Sequence, residues 1–246
     1  MKVTPYILSL FLSLAANLSY GASVKLYADS WEPYNYSEDG RVVGIGTDLV
    51  RAVFQRAGIS YELSIQPWKR AYQNVLRVPD TGLFVVNKTQ ARSPYFKWVG
   101  PLFETNVFLY RLKSRSDIKI DTLSDLNEYR IGVLRGGAVE DFLLRKGVSR
   151  SALDLHSHST MHLTKLLAGR NDLVPGDEVD FLYQAKKLGR DISELERAYK
   201  LYPSKYYLAV NLKTPDDVIE RLQNALNELI EEGYRERLME QLFQPL

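Results

Sequence analysis

Arg92 ends the run Asn87-Lys88-Thr89-Gln90-Ala91-Arg92, just after the apolar stretch Leu83-Phe84-Val85-Val86. Ligands of open α/β sheets bind outside the carboxyl ends of strands. A guanidinium at such a place can grip a carboxylate through two parallel hydrogen bonds. A solvated loop arginine is the alternative, and position alone does not decide between them. Asp177 follows the short apolar step Leu173-Val174 and precedes a helical pattern. Its carboxylate can pair with an ammonium or simply favour the helix N-terminus, a role Glu178 can share. Asp172 has the same ambiguity and reads as structural. Gly136-Gly137-Ala138 joins a strand pattern to a helical one, where free backbone N–H groups attract anions. The lysine and Ser/Thr of a P-loop are missing there, and no dinucleotide fingerprint occurs. Aromatic residues occupy the same class of position. Trp31 and Tyr34 flank Pro33, and Trp68 follows Pro67. Their rings can line a pocket or stack on a cation, with core packing as the alternative.

Other chemistries find little support. His156, His158 and His162 form a His-x-His-x3-His group. Two histidines and a carboxylate can hold zinc, but no HExxH pattern occurs, so these residues read as polar surface or cleft edge. No Gly-x-Ser-x-Gly and no Ser-x-x-Lys motif with its partners is present. The chain has no cysteine, which excludes thiol catalysis, iron–sulfur clusters and Cys-type zinc sites. Neither a metal nor a cofactor is expected.

The elements that must position these residues alternate between short β-like runs and amphipathic helices. Val24 to Ala28 reads as a strand, Thr47 to Ala57 as a helix, Tyr61 to Ile65 as a strand, Trp68 to Leu76 as a helix, and Leu83 to Val86 as a buried strand. That β-α-β-α-β order predicts a doubly wound sheet. A second set follows. Strands are expected at Tyr129 to Leu134, Ala152 to Leu155 and Leu173-Val174, with helices from Ala138 to Lys146, Met161 to Ala168 and Asp177 to Leu188. Strand patterns at Val107 to Leu112 and Tyr206 to Leu212 leave the first set and return to it, and Pro215 to Leu246 is helical. The fold expected is α/β: two doubly wound lobes joined by two crossing strands. The divisions are a leader at 1–21, a first lobe at 22–108, a second lobe with hinge strands at 109–207, and a return to the first lobe at 208–246.

Composition agrees with a folded, exported chain. Of 246 residues, 45% are hydrophobic and 25% charged, and the formal net charge of +2 implies no general affinity for nucleic acid or anionic membrane. Lys2, the apolar run from Tyr6 to Leu18, and small residues at Ser19 and Gly21 read as a signal peptide cleaved after Gly21. The apolar run is shorter than the 20 or so residues that a membrane span needs. A periplasmic location and a monomer are expected.

Taken together, the motifs resemble those of the type 2 periplasmic solute-binding proteins, the bacterial extracellular solute-binding proteins of family 3. Trp31-Glu32-Pro33-Tyr34, Asp39-Gly40 and Gly44-Ile45-Gly46-Thr47-Asp48-Leu49 are similar to the family's opening pattern, with Ile45 where an aromatic is usual. Thr89-x-x-Arg92 followed by Phe96 resembles the segment whose arginine grips the ligand α-carboxylate. Leu167-Ala168-Gly169-Arg170-x-Asp172 followed by Asp177-Glu178 resembles the segment whose later aspartate holds the α-ammonium. Gly132-Val133-x-x-Gly136 matches the turn opening the second lobe's ligand-facing helix. Asn87 stands where the family often has Ser or Thr, and Gly137-Ala138 offer only backbone N–H groups where a hydroxyl is common. Pro67-Trp68-Lys69-Arg70 and Phe96-Lys97-Trp98-Val99-Gly100-Pro101 look like a divergent branch.

The resemblance implies capture of an amino acid or related small polar carboxylate, probed by Arg92 and Asp177, with Trp31, Tyr34, Trp68, Asn87, Gly136, Gly137 and Ala138 around it. It implies an inner-membrane ABC permease or a sensor receptor as partner. Some relatives instead catalyse elimination on a cyclic carboxylate, as cyclohexadienyl dehydratases do. That chemistry needs a cleft acid, for which Glu32, Glu104 and Asp177 are the candidates.

Overall fold

The computed structural model describes residues 23–158 and 161–243. The leader expected at 1–21 lies outside them. Strand β1 (Val24–Ala28) buries Val24, Leu26 and Ala28 and exposes Lys25, the period of two that a pleated strand imposes. A hairpin follows, β2 (Tyr36–Glu38) and β3 (Arg41–Val43), turned by Asp39 and Gly40 at φ 48° and 76°. Helix α1 (Ile45–Arg56) buries Leu49, Val50, Val53 and Phe54 on one face. Next come β4 (Tyr61–Ile65), α2 (Trp68–Arg77) and β5 (Thr81–Asn87). β1 pairs in parallel with both β4 and β5. β5 is buried from Thr81 to Val86, so it reads as a continuous apolar run without alternation.

Strand β6 (Phe96–Leu112) leaves this unit. The second unit contains β7 (Ile131–Leu134), α3 (Ala138–Arg145), β8 (Leu153–His156), α4 (Met161–Leu167), β9 (Val174–Gly176) and α5 (Glu178–Lys187). β7 and β8 are parallel, a single bridge joins Ile131 to Leu173, and β9 runs antiparallel to β6. Strand β10 (Leu195–Asn211) returns, and α6 (Asp216–Glu231) and α7 (Tyr234–Phe243) pack on the first unit, with Gly233 at φ 71° between them.

β6 and β10 are 17 residues each, well beyond the short strands expected at 107–112 and 206–212. At 3.3 Å per residue each spans about 55 Å, enough to run through both lobes. They pair antiparallel from Leu112–Leu195 to Phe96–Asn211, with three register shifts along the way. Such shifts bend and twist a ladder, and they broke the alternation that would have revealed its length. The full sheet order is β4-β1-β5-β10-β6-β9. Two cores result. Leu26, Phe54, Phe84, Phe103 and Leu226 belong to the first, and Leu109, Ile131, Val133, Leu143 and Leu173 to the second. The fold is therefore the expected α/β pair of lobes sharing two long strands.

Candidate functional site

A cavity of about 90 Å³ lies where the carboxyl ends of β1 and β5 face the starts of α3 and α5. Trp31, Trp68, Asn87, Arg92, Gly137, Ala138 and Asp177 line it. Tyr34 and Gly136 stand just behind and reach its polar groups by hydrogen bonds.

Arg92 is brought inward by a turn after β5. Its N–H bonds the Thr89 carbonyl at 3.0 Å and the Thr89 hydroxyl at 3.3 Å, reversing the chain. The side chain is only 6% exposed, so the solvated alternative fails. Its guanidinium donates to the carbonyls of Asn87 at 3.3 Å and Gly136 at 3.1 Å. It lies 4.8 Å from the Trp68 ring centroid and 5.7 Å from that of Tyr72. Carbonyl dipoles and ring faces thus hold a buried cation. Burial lowers its pKa from the ordinary arginine value.

The opposite wall is acidic. Asp177 is the N-cap of α5, and its Oδ1 accepts from the Asp180 N–H at 2.9 Å. Its Oδ2 accepts two phenolic hydroxyls, Tyr34 and Tyr206, each at 2.8 Å. Asp180 lies one turn along and accepts from Trp31 Nε1 at 3.0 Å and from the Gln184 amide. Both carboxyl groups are almost completely buried. Burial raises the Asp177 pKa against the pull of its hydrogen-bond donors. Burial and the neighbouring Asp177 charge push Asp180 well above the usual carboxylate range.

A family model for bacterial extracellular solute-binding proteins, family 3, matches residues 25–245. The chain belongs to that family. No curated protein matches it. Among solved structures, a histidine kinase sensor domain with similarity to periplasmic binding proteins superposes with a TM-score of 0.79 at 17% identity, covering 90% of this chain and 96% of that one. An ancestral arginine-binding protein bound to arginine gives 0.77 at 20% identity, covering 90% and 98%. The arginine-, lysine-, histidine-binding protein of Geobacillus stearothermophilus gives 0.76 at 18%, covering 90% and 95%. At such identities the likeness is one of fold.

Within this solute-binding protein, Gly136 takes a different part from the expected one. Its N–H donates to the Glu140 carboxylate, and its carbonyl accepts from Arg92 and, at 2.9 Å, from Trp68 Nε1. The Gly137 N–H closes a turn onto the Leu134 carbonyl at 2.9 Å. Gly136 has φ 72°, which a side chain rarely tolerates. Asn87 accepts from the Ser204 hydroxyl of β10. Trp31 packs against the first core, 4.9 Å from the Tyr34 ring and 5.1 Å from Tyr206, and lines the cavity as well.

Five further polar residues of the wall were not among those expected from the sequence: Asp29, Asn35, Asp180, Tyr202 and Tyr206. Only Asp180 left a local signal, three residues after Asp177 at a helix start. Tyr202 and Tyr206 come from β10 and reach the site through strand pairing. Val85 also lines the cavity, in the left-handed region at φ 57°, which is costly for a β-branched residue. It sits opposite the β10 register shift and against Gly46, where an added Cβ would approach Val85 Cγ2 to 2.6 Å.

His162 lines the cavity, and its ring stacks edgewise on His156 at 4.7 Å. Burial lowers His156 to about 4 and His162 to about 3. Among the described residues, no group of three or more His, Cys, Asp or Glu side chains could hold a metal ion. Asp172 serves structure, bonding Arg115 at 2.7 Å and the Arg130 N–H at 2.9 Å. Glu32 pairs with Lys187 at 2.7 Å and Glu104 with Lys205 at 2.9 Å, both away from the cavity lining. No described helix is long and apolar enough to cross a membrane.

Proposed function

We propose that this protein captures an α-amino acid, or a closely related small polar carboxylate, between its lobes and delivers it to an ABC importer of the inner membrane. The observation that carries this reading is Arg92, a buried guanidinium on the cavity wall whose hydrogen bonds among the described residues go to carbonyl oxygens. A ligand carboxylate is the partner its fork fits.

In this reading Arg92 clamps the carboxylate, with the backbone at Ala138 beside it. Tyr202 supplies the hydroxyl that the sequence lacks at the usual positions. Its buried OH has no hydrogen-bond partner among the described residues, and it lines the same cavity as Arg92. Asp177 takes the ammonium. Trp31, Tyr34, Trp68 and Asn87 shape the rest. The lobes at 22–108 with 208–246, and at 109–207, move as bodies about the middle of β6 and β10. Ligand selects the closed arrangement, which also gains lobe-to-lobe bonds such as Trp31–Asp180, Tyr34–Asp177 and Lys187–Glu32. The protein acts as an exported periplasmic monomer, its leader cleaved after Gly21, and without catalysis. Two of the acids a dehydratase would draw on, Glu32 and Glu104, are engaged in outer ion pairs.

The fold likeness to a kinase sensor domain favours one second reading, a binding protein that reports ligand to a membrane receptor. A thermal-shift screen of α-amino acids and small carboxylates tests the shared claim. A ligand at 100 times its Kd adds about 2.7 kcal/mol of stability. A flat response to every α-amino acid and carboxylate refutes capture of this class.

A further inference from the structure

A second cavity opens beside the first. It measures about 280 Å³ and lies between the turn after β5, helix α3 and strand β10. Asn87, Ala138 and Tyr202 line both cavities and so form the partition between them. The two differ in charge. Asp29, Asp177 and Asp180 line the first, whereas among the described residues no aspartate or glutamate lines the second. Lys88, Arg145 and Lys205 line it instead.

The three cations arrive from three elements. Lys88 follows β5 in the first lobe, Arg145 ends α3 in the second, and Lys205 stands on β10. Among the described residues the Lys88 ammonium has only ring faces for partners, Tyr207 at 5.4 Å and Trp98 at 5.7 Å. Such contacts orient the charge without neutralising it. Arg145 pairs with Asp141 at 3.3 Å and Lys205 with Glu104 at 2.9 Å, and both carboxylates lie outside the cavity lining. The members of each pair are about half exposed, so water screens them and leaves the cations able to take a further partner.

Neutral donors complete the setting. The Thr89 hydroxyl accepts from the Arg92 N–H and so keeps its own proton to give. The Tyr202 hydroxyl is buried and has no partner among the described residues. A buried polar group in that position calls for a ligand or a water. The rings of Phe142 and Tyr202, with centroids 4.8 Å apart, and that of Tyr207 make the apolar part of the wall. Low polarity behind the cations strengthens their pull on an anion.

We propose that this cavity is a second binding site, for a small oxyanion of the phosphate or carboxylate type, bridged between Lys88 of the first lobe and Arg145 of the second. It takes its anion separately from the solute held by Arg92, and it stands whether or not that solute is an amino acid. Arg145 supplies a fork of N–H donors that fits two oxygens, and Lys88 and Lys205 add point charges.

Titration calorimetry of the purified protein tests this with inorganic phosphate and, separately, malonate, at an ionic strength held constant with sodium chloride. The expected result is saturable binding of at least one of the two. Lys88→Gln and Arg145→Gln each weaken it about fivefold, the worth of one partly exposed ion pair, with thermal melts confirming that both variants are folded. A loss in one variant alone overturns the bridge between the lobes. Binding that survives both substitutions and vanishes in Arg92→Ala places the anion in the solute cavity and overturns the second site. Binding of neither anion overturns it as well, as does a response that sodium chloride alone reproduces, which is general screening.

Discussion

The two walls of the cavity solve the problem of buried charge in opposite ways. On the first lobe, Arg92 keeps its charge, surrounded by the Asn87 and Gly136 carbonyls and the faces of Trp68 and Tyr72. On the second, Asp177 and Asp180 stand one helical turn apart, gather hydroxyl and N–H donors, and are both shifted towards the protonated form. A guanidinium cannot shed its proton at neutral pH, so it must be cradled. A carboxyl pair can retain one, so it tolerates burial until a counter-charge arrives. The first wall is ready for an anion. The second can hold a proton.

The largest effect expected is at the first wall. Arg92→Ala weakens binding of the cognate amino acid at least ~100-fold, more than 2.7 kcal/mol. Arg92→Lys does not restore it, because an ammonium lacks the planar fork. Calorimetry checks both, and near-native affinity in either variant would remove the carboxylate clamp. At the second wall, Asp177→Ala also loses at least ~100-fold in affinity. It costs the free protein about 1 kcal/mol as well, through the lost helix cap, which denaturant unfolding measures. Unchanged affinity there would mean that Asp177 serves closure alone. Tyr202→Phe tests the hydroxyl donor and is expected to weaken binding about tenfold, in the range of a hydrogen bond to a charged group.

The histidine pair beside the acidic wall sharpens the contrast through pH. His156 and His162 are lowered in the folded state, so their contribution to stability is present above pH 6.5 and is lost as pH falls towards 4. Each steepens the acid limb by up to about 1.4 kcal/mol per pH unit. Asp177 and Asp180, raised in the folded state, act oppositely, adding stability at acid pH that fades as pH rises through their folded values. Unfolding curves of a His156→Gln, His162→Gln variant against the parent isolate the histidines, because the carboxyl contribution is common to both. A parallel pair of pH profiles would deny the histidines this role. The smallest effect belongs to the lobe-to-lobe pair Lys187–Glu32, half-exposed at Lys187. Lys187→Ala changes affinity by less than about fivefold, as surface ion pairs are worth at most about 1 kcal/mol.

Much of the first lobe was legible because its signals are local. The apolar run before Asn87 marked β5, and strand-end position marked Arg92. The helical pattern after Leu173-Val174 marked Asp177 at a helix start. The paired tyrosines Tyr34 and Tyr206 were not legible as a unit, since 172 positions separate them and only the β10–β5–β1 layering brings both to Asp177. Gly136 was placed correctly at its turn, yet which of its two polar groups faces the ligand side depended on Glu140 capturing its N–H.

The sequence by itself determined the order of strands and helices and the two-lobed α/β plan, and it placed Arg92 after a strand and Asp177 at a helix start. Periodicity, turn residues and strand-end position are properties of neighbouring residues, so a linear reading recovers them. Only the tertiary structure decided the length of β6 and β10, the burial of Arg92, and the gathering of Asp29 and Asn35 from the first lobe with Asp180 and His162 from the second around one cavity. Those depend on which strands pair and which helices close over them, and burial then sets the charge state of each group.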